Sequence, residues 1–409
     1  MRALLVSVVL ASVVHAAEQK LTPSHGAALD QFGFSVAISG DTLVVGSLQD
    51  FIGANVEQGS ATVFTRSNNV WIEQAALVAS DGAARDSFGF SVAIDENTIA
   101  VGAFKDDVGA NEEQGSVYVF VRDGTGWPQQ AKLTANDGDA GDVFGYSVAL
   151  DGDTLVVGAV GRDQGIFAAY GAAYVFVRNG TTWTQQARLV HADGWTSDNF
   201  GQNVAIDGNT LVVSAGFADI DTVQNQGAAW VFVRNGNTWS QQARLLASDA
   251  AIFDEFGRSV DIDGDRILVG SLANDYRGAA YVFERTGVLW REKAKLVAAD
   301  AANNDRFGVS AALEGDVAAV GSFGDDVGER SGQGSVRVFT RRDGVWQPRA
   351  TRTAFDADAF DTLGYCVAIS GNDIAAGAYG DDIGTQLDQG SVYVFNANQV
   401  PSRRRATRK

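Results

Sequence analysis

The dipeptide Phe-Gly recurs at Phe32, Phe88, Phe144, Phe200, Phe256 and Phe307, and Leu363-Gly364 continues the series. The steps are 56, 56, 56, 56, 51 and 56 residues. Tryptophan keeps the same beat at Trp71, Trp127, Trp183, Trp239, Trp290 and Trp346. A period this long, held seven times, dictates a repeat architecture in which each unit packs on its neighbours. Each unit holds four runs rich in β-branched and aromatic residues, such as SVAI (91–94), TIAVGA (98–103), SVYVFV (116–121) and WPQQAKLTA (127–135). Tight turns separate runs one and two (DGD, 151–153) and runs three and four (Asn179-Gly180, Asn235-Gly236). Helical periodicity is absent. The pattern predicts an all-β, seven-bladed β-propeller of four-stranded antiparallel blades.

The seventh unit stops after SVYVF (391–395) and lacks its fourth run, while EQKLT at 18–22 matches QQAKLT at 129–134. The N-terminal segment is therefore expected to complete the last blade and close the ring, which removes an open sheet edge. Residues 1–16 read as a signal peptide, residues 17–398 as the propeller and residues 399–409 as a basic, disordered tail. The sequon Asn179-Gly180-Thr181 marks a glycosylation candidate at Asn179. The formal charge is -19; without Arg2 and the five basic residues of 403–409, residues 17–402 carry about -25. Such a body repels nucleic acid and favours cations and basic partners. No apolar run after the leader is long enough to span a bilayer. The expectation is a secreted, monomeric propeller held by its core, since Cys366 is the sole cysteine.

FGFSVAI…TLVVGS at 32–47, with its six relatives, resembles FG-GAP repeats, and the resemblance covers residues 18–395. It implies the fold of the integrin α head, closed by its N-terminal strand. Integrin propellers often carry a DxDxDG calcium loop between the first two strands of later blades. Here that segment is a minimal turn, as in Ile262-Asp263-Gly264-Asp265-Arg266, too short for six or more oxygen ligands. No cofactor is required on this reading. Calcium has only weak candidates in the long second-to-third-strand loops: Asp106, Asp107, Asp325, Asp326, Asp381 and Asp382. The loops before Phe-Gly repeat D-x4-D (Asp81/Asp86, Asp137/Asp142, Asp193/Asp198, Asp249/Asp254, Asp300/Asp305, Asp356/Asp361). An acid recurring in six blades is expected to pin its turn rather than bind an ion.

Function is sought where the copies differ. The residue after Phe-Gly, at the channel mouth, is Phe34, Phe90, Tyr146, Gln202, Arg258, Val309 and Tyr365 in turn. Tyr365, Phe34, Phe90 and Tyr146 should form a continuous aromatic arc. In integrin α subunits the matching positions clasp a basic side chain of the β subunit, so the resemblance implies a cation site, with Arg258 opposing it. Blade five is the second anomaly: its loop SLANDYRG (271–278) is five residues short, and Asp261 stands where the other copies have Ala. Asp261 and Arg258 are expected to pair or to mark a polar pocket. Trp195, in the loop after blade three, is expected beside Asp275, Tyr276 and Arg277, poised to stack on a sugar or grip a peptide. Cys366 takes the place of Ser35, Ser91 and Ser147 and reads as a buried small residue. No HExxH, GxSxG or GxxxxGK[ST] motif occurs. The leading reading is a non-catalytic binding or adhesion propeller for an extracellular protein with a basic anchor, or for a glycan. The alternatives are a carboxylate-based glycan hydrolase or lyase at the channel mouth, with Asp261 and Asp275 its best acid pair, and a structural wall or matrix component.

Overall fold

The computed structural model describes residues 18–192 and 194–397. The leader 1–16, the tail 399–409 and Asp193 lie outside the described residues. Seven four-stranded antiparallel sheets form, six of them in chain order from inner to outer strand. In the seventh, the strands Val367–Ser370, Asp373–Ala378 and Ser391–Asn396 are completed by Glu18–Leu21. The closing register is Glu18↔Phe395, Gln19↔Val394, Lys20↔Tyr393 and Leu21↔Val392.

The repeated residues explain the ring. Each Phe of Phe-Gly is fully buried and meets third-strand rings edge-on, as Phe88 meets Tyr118 at 5.5 Å and Phe120 at 6.1 Å. The following Gly has φ near +90°, and at Gly89 a Cβ would lie 2.2 Å from the Ser60 carbonyl oxygen. That close approach and the left-handed backbone both demand glycine. In five blades a register shift follows this Phe. Such a bulge re-aims the next side chain, here toward the central channel.

Two rings of hydrogen bonds fasten the inner strands blade to blade. In the first, the hydroxyls of Ser35, Ser91, Ser147, Ser259 and Ser310 donate to the Gly carbonyl of the next blade's Phe-Gly at 2.7–3.0 Å. Asn203 donates to the Arg258 carbonyl at 2.6 Å, and the Cys366 thiol closes the circle on Gly33 at 3.1 Å. In the second ring, on the short-turn face, the side chains of Ser39, Asp95, Asp151, Asp207, Asp263, Glu314 and Ser370 each accept a backbone N–H from the next turn. At the outer strands, the indoles of Trp127, Trp183, Trp239 and Trp290 donate to Gln74, Gln130, Gln186 and Gln242. Lys293 breaks that series, leaving the buried Trp346 indole N–H without an acceptor.

Candidate functional site

The bulge residues meet at the long-loop end of the channel, around a cavity of about 230 Å³ lined by all seven inner strands. Ring centroids run Tyr365–Phe34 at 5.0 Å, Phe34–Phe90 at 5.1 Å and Phe90–Tyr146 at 4.8 Å. A second tier stands behind them: Phe104 on Phe90 at 4.3 Å, and Tyr379 and Phe323 on Tyr365 at 4.7 and 5.7 Å. Sequence reasoning missed this tier, although it occupies one repeat column, the residue after the second strand (Phe104, Phe323, Tyr379). The four arc residues are half-buried and keep part of each ring toward the cavity.

Across the mouth lie Gln202, Arg258 and Val309. Gln202 is buried, and its Oε1 accepts the Gly216 N–H at 2.9 Å, using the space that glycine leaves. The expected Arg258–Asp261 pair does not form. Asp261 lies deeper in the strand, and its carboxylate accepts the N–H groups of Ile262 (2.9 Å) and of Leu313 in blade six (2.7 Å). Burial outweighs those two bonds and pushes its carboxyl up to about 7. Asp261 is thus an extra fastening between blades five and six. Asp275 sits in the loop at the opposite end of the sheet, so no carboxylate pair is assembled.

Blade five's short loop folds as a single 3-10 turn, Asn274–Tyr276. Asn274 ties it down to Asp254 and Lys295, which leaves Asp275, Tyr276 and Arg277 exposed on the rim. Trp195 does not join them. It belongs to the loop entering blade four and stands edge-on to Phe167 of blade three, at 6.2 Å. Trp195 is 58% exposed. It borders a cavity of about 350 Å³ walled also by Phe167, Asp219, Asp221 and Arg244. Beneath, His191 stacks on Tyr170 at 4.8 Å and meets Trp230 at 4.4 Å. In blades one and two the corresponding place holds an amide tie, Asn55–Gln58 and Asn111–Gln114. Blade three replaces it with Phe167 and Tyr170.

The repeating acids hold the scaffold. Asp30, Asp86, Asp142, Asp198, Asp254, Asp305 and Asp361 each accept the backbone N–H three residues earlier, from Ala27, Ala83, Asp139, Trp195, Ala251, Ala302 and Asp358. Burial pushes Asp86 up to about 6 and Asp361 to about 7 despite those bonds. Of the calcium candidates, Asp106 bonds Ser116 and Lys132, Asp325 bonds Ser335 and Arg337, and Asp381 bonds Ser391 and Lys20. Asp107, Asp326 and Asp382 cap the N–H groups of Glu113, Gly332 and Asp388. Among the described residues no group of three or more His, Cys, Asp or Glu side chains is placed to hold a metal. Asn179 is exposed at its turn.

Fold and mouth together define a seven-bladed propeller with an aromatic-rimmed channel. The FG-GAP repeat model matches residues 16–64, 71–120, 127–176, 183–232, 239–283, 290–339 and 346–395, so the chain belongs to the FG-GAP repeat family. No curated protein matches it. Among solved structures it is similar to the periplasmic gluconolactonase PpgL of Pseudomonas aeruginosa, at 14% identity and a TM-score of 0.51. The match covers 79% of this chain and 86% of that one, and it is a likeness of fold alone. No helix among the described residues is long and apolar enough to cross a membrane.

Proposed function

We propose that the chain is a secreted, non-catalytic binding propeller that takes a basic side chain of a protein partner on the aromatic arc at its channel mouth. One observation carries the reading: four half-exposed rings, 4.8–5.1 Å apart, wall one side of an open cavity. Ring faces attract a cation, and a chain of net charge -19 steers it there. Arg258 opposes a second cation, but Glu255 lies close enough to Arg258 and Arg306 to feel both charges and offsets part of that repulsion. The hydrolase alternative lacks a favouring observation, because its best acid pair is divided between the two ends of the sheet.

The test is fluorescence anisotropy with a peptide bearing one Arg, its Gln twin as control, at low and high salt. Phe90→Ala and Tyr146→Ala should each weaken Arg-peptide binding by roughly 2- to 30-fold, the equivalent of about 0.5–2 kcal/mol. Circular dichroism should show an intact fold, and Arg258→Gln should tighten binding. Equal affinity for both peptides, or indifference to Phe90→Ala, removes the reading.

A further inference from the structure

We infer that the cavity between blades three and four is a carbohydrate site, in which the CH face of a pyranose ring stacks on Trp195 while its hydroxyls bond to Asp221 and Arg244. This inference does not rest on the channel-mouth reading, since the two cavities share no lining residue.

Two departures from the repeat converge there. Trp195 stands at the capped position that holds Ala or Asp in the other six copies. Those small residues satisfy the turn, so the indole is not needed to fold it, and it remains 58% exposed. Asp221 occupies a loop tip with φ +55°, where the equivalent loops have Gly53, Gly109, Gly165, Gly328 and Gly384 at φ +63° to +71°. A side chain at a left-handed position costs stability that glycine would not, and Asp221 extends an exposed carboxylate beside the cavity.

The chemistry of the walls selects the ligand class. Trp195 and Phe167, edge-on at 6.2 Å, form a bent apolar platform. The same cavity is lined by Asp221, which offers hydrogen-bond acceptors, and by Arg244, which carries donors. A pyranose presents that same division, an apolar CH face bordered by hydroxyls that both donate and accept. The cavity, about 350 Å³, is within the size range of small-ligand sites. An apolar peptide side chain would leave the exposed Asp221 carboxylate without a ligand contact, and a simple cation would be repelled by Arg244.

Trp195 is also its own probe, because the other seven tryptophans are buried or half-buried. Neutral glucose- and mannose-based tetrasaccharides are titrated against the whole protein, following tryptophan emission and acrylamide quenching, with saturation-transfer NMR as an independent readout. The expected result is a saturable blue shift and loss of quenching with at least one sugar. Trp195→Ala should weaken the NMR-detected binding about 10-fold. Asp221→Gly, which restores the repeat's own residue and therefore folds, should weaken it several-fold, and Phe90→Ala should leave it unchanged. No saturable response to any of these sugars, or full affinity in Trp195→Ala, overturns the inference. Loss of sugar binding in Phe90→Ala but not in Trp195→Ala overturns it as well and moves the sugar to the channel mouth.

Discussion

Replacing Leu21 by Ala tests whether the N-terminal strand closes the ring. Leu21 is 4% exposed and packs with Phe32, Leu43, Phe64, Trp71, Val392 and Val394. Its equivalents in other outer strands, Leu77, Leu133, Leu189, Leu245 and Leu296, are buried to the same degree. Truncating a buried Leu to Ala costs about 2–5 kcal/mol, with the spread set by how far the site collapses. Unfolding entropy of about 2.1 cal/mol/K per residue over roughly 380 residues gives ~0.8 kcal/mol per kelvin, so a 3 kcal/mol loss lowers Tm by about 4 °C. Leu133→Ala, inside an unbroken blade, is the internal standard. Urea and thermal unfolding of both variants, followed by tryptophan fluorescence, should give losses equal to within about 1 kcal/mol. If Leu133→Ala shows the full loss while Leu21→Ala matches the parent, residues 18–21 are not part of the wheel. Closure by Lys20 on Asp356 and Asp381 would then fail with it.

Asp261 makes stability pH-dependent with a definite sign. An ordinary Asp titrates near 3.9 when unfolded, and in the fold Asp261 is pushed up to about 7. Between these values the folded state holds the extra proton, so its contribution falls as pH rises and is fully lost above about 7. Asp261→Ala should therefore gain on the parent by about 3 kcal/mol from pH 5 to pH 8 in urea titrations; a pH-independent difference refutes the assignment. Cys366→Ser should be neutral or slightly stabilising, within about 1 kcal/mol, because a hydroxyl replaces a weak thiol donor toward Gly33. Cys366 is half-buried and lines the channel-mouth cavity, but burial pushes its thiol up to about 12, so native Cys366 should react with a thiol reagent more slowly than an ordinary thiol, because less of it is thiolate. A loss above 2 kcal/mol on Cys366→Ser would show that the sulfur does more than complete the circle.

The wheel was legible because its bonds recur. The Ser that latches blades, the Asp that caps the entry loop and the Leu that seals each outer strand appear at one spacing, and periodicity exposes them. The aromatic arc was legible too, since a bulge at a fixed place aims one column at the channel. Contacts across blade junctions were not. Trp195 was expected beside Tyr276 on the strength of being unusual, yet the entry loop of a blade leans on the loop of the blade before it, as Phe167 shows. Asp261 was expected to meet Arg258 three residues away, but inner-strand side chains reach neighbouring blades more readily than each other, and its partner is Leu313.

Departure from the repeat therefore does not by itself mark a ligand site; what separates the cases is whether a second departure absorbs the first. Gln202 is absorbed by Gly216, the glycine that makes room for it. Asn203 is matched by Ser214, which stands where the other copies have Gly. The added Cβ crowds the junction, and the longer amide reaches on to the Arg258 carbonyl in place of a glycine's. Phe167 and Tyr170 jointly replace an amide pair. These exchanges conserve packing and hydrogen bonding, and evolution of the scaffold alone accounts for them. The arc rings and Trp195 also have neighbours of this kind, Phe104, Tyr379 and Phe167, but are not covered by them, and Asp221 stands exposed. Each leaves apolar surface or charge toward solvent in a place where a smaller residue satisfies the same backbone. An uncompensated cost of that kind, held on the long-loop face of a rigid wheel, is what a binding partner relieves.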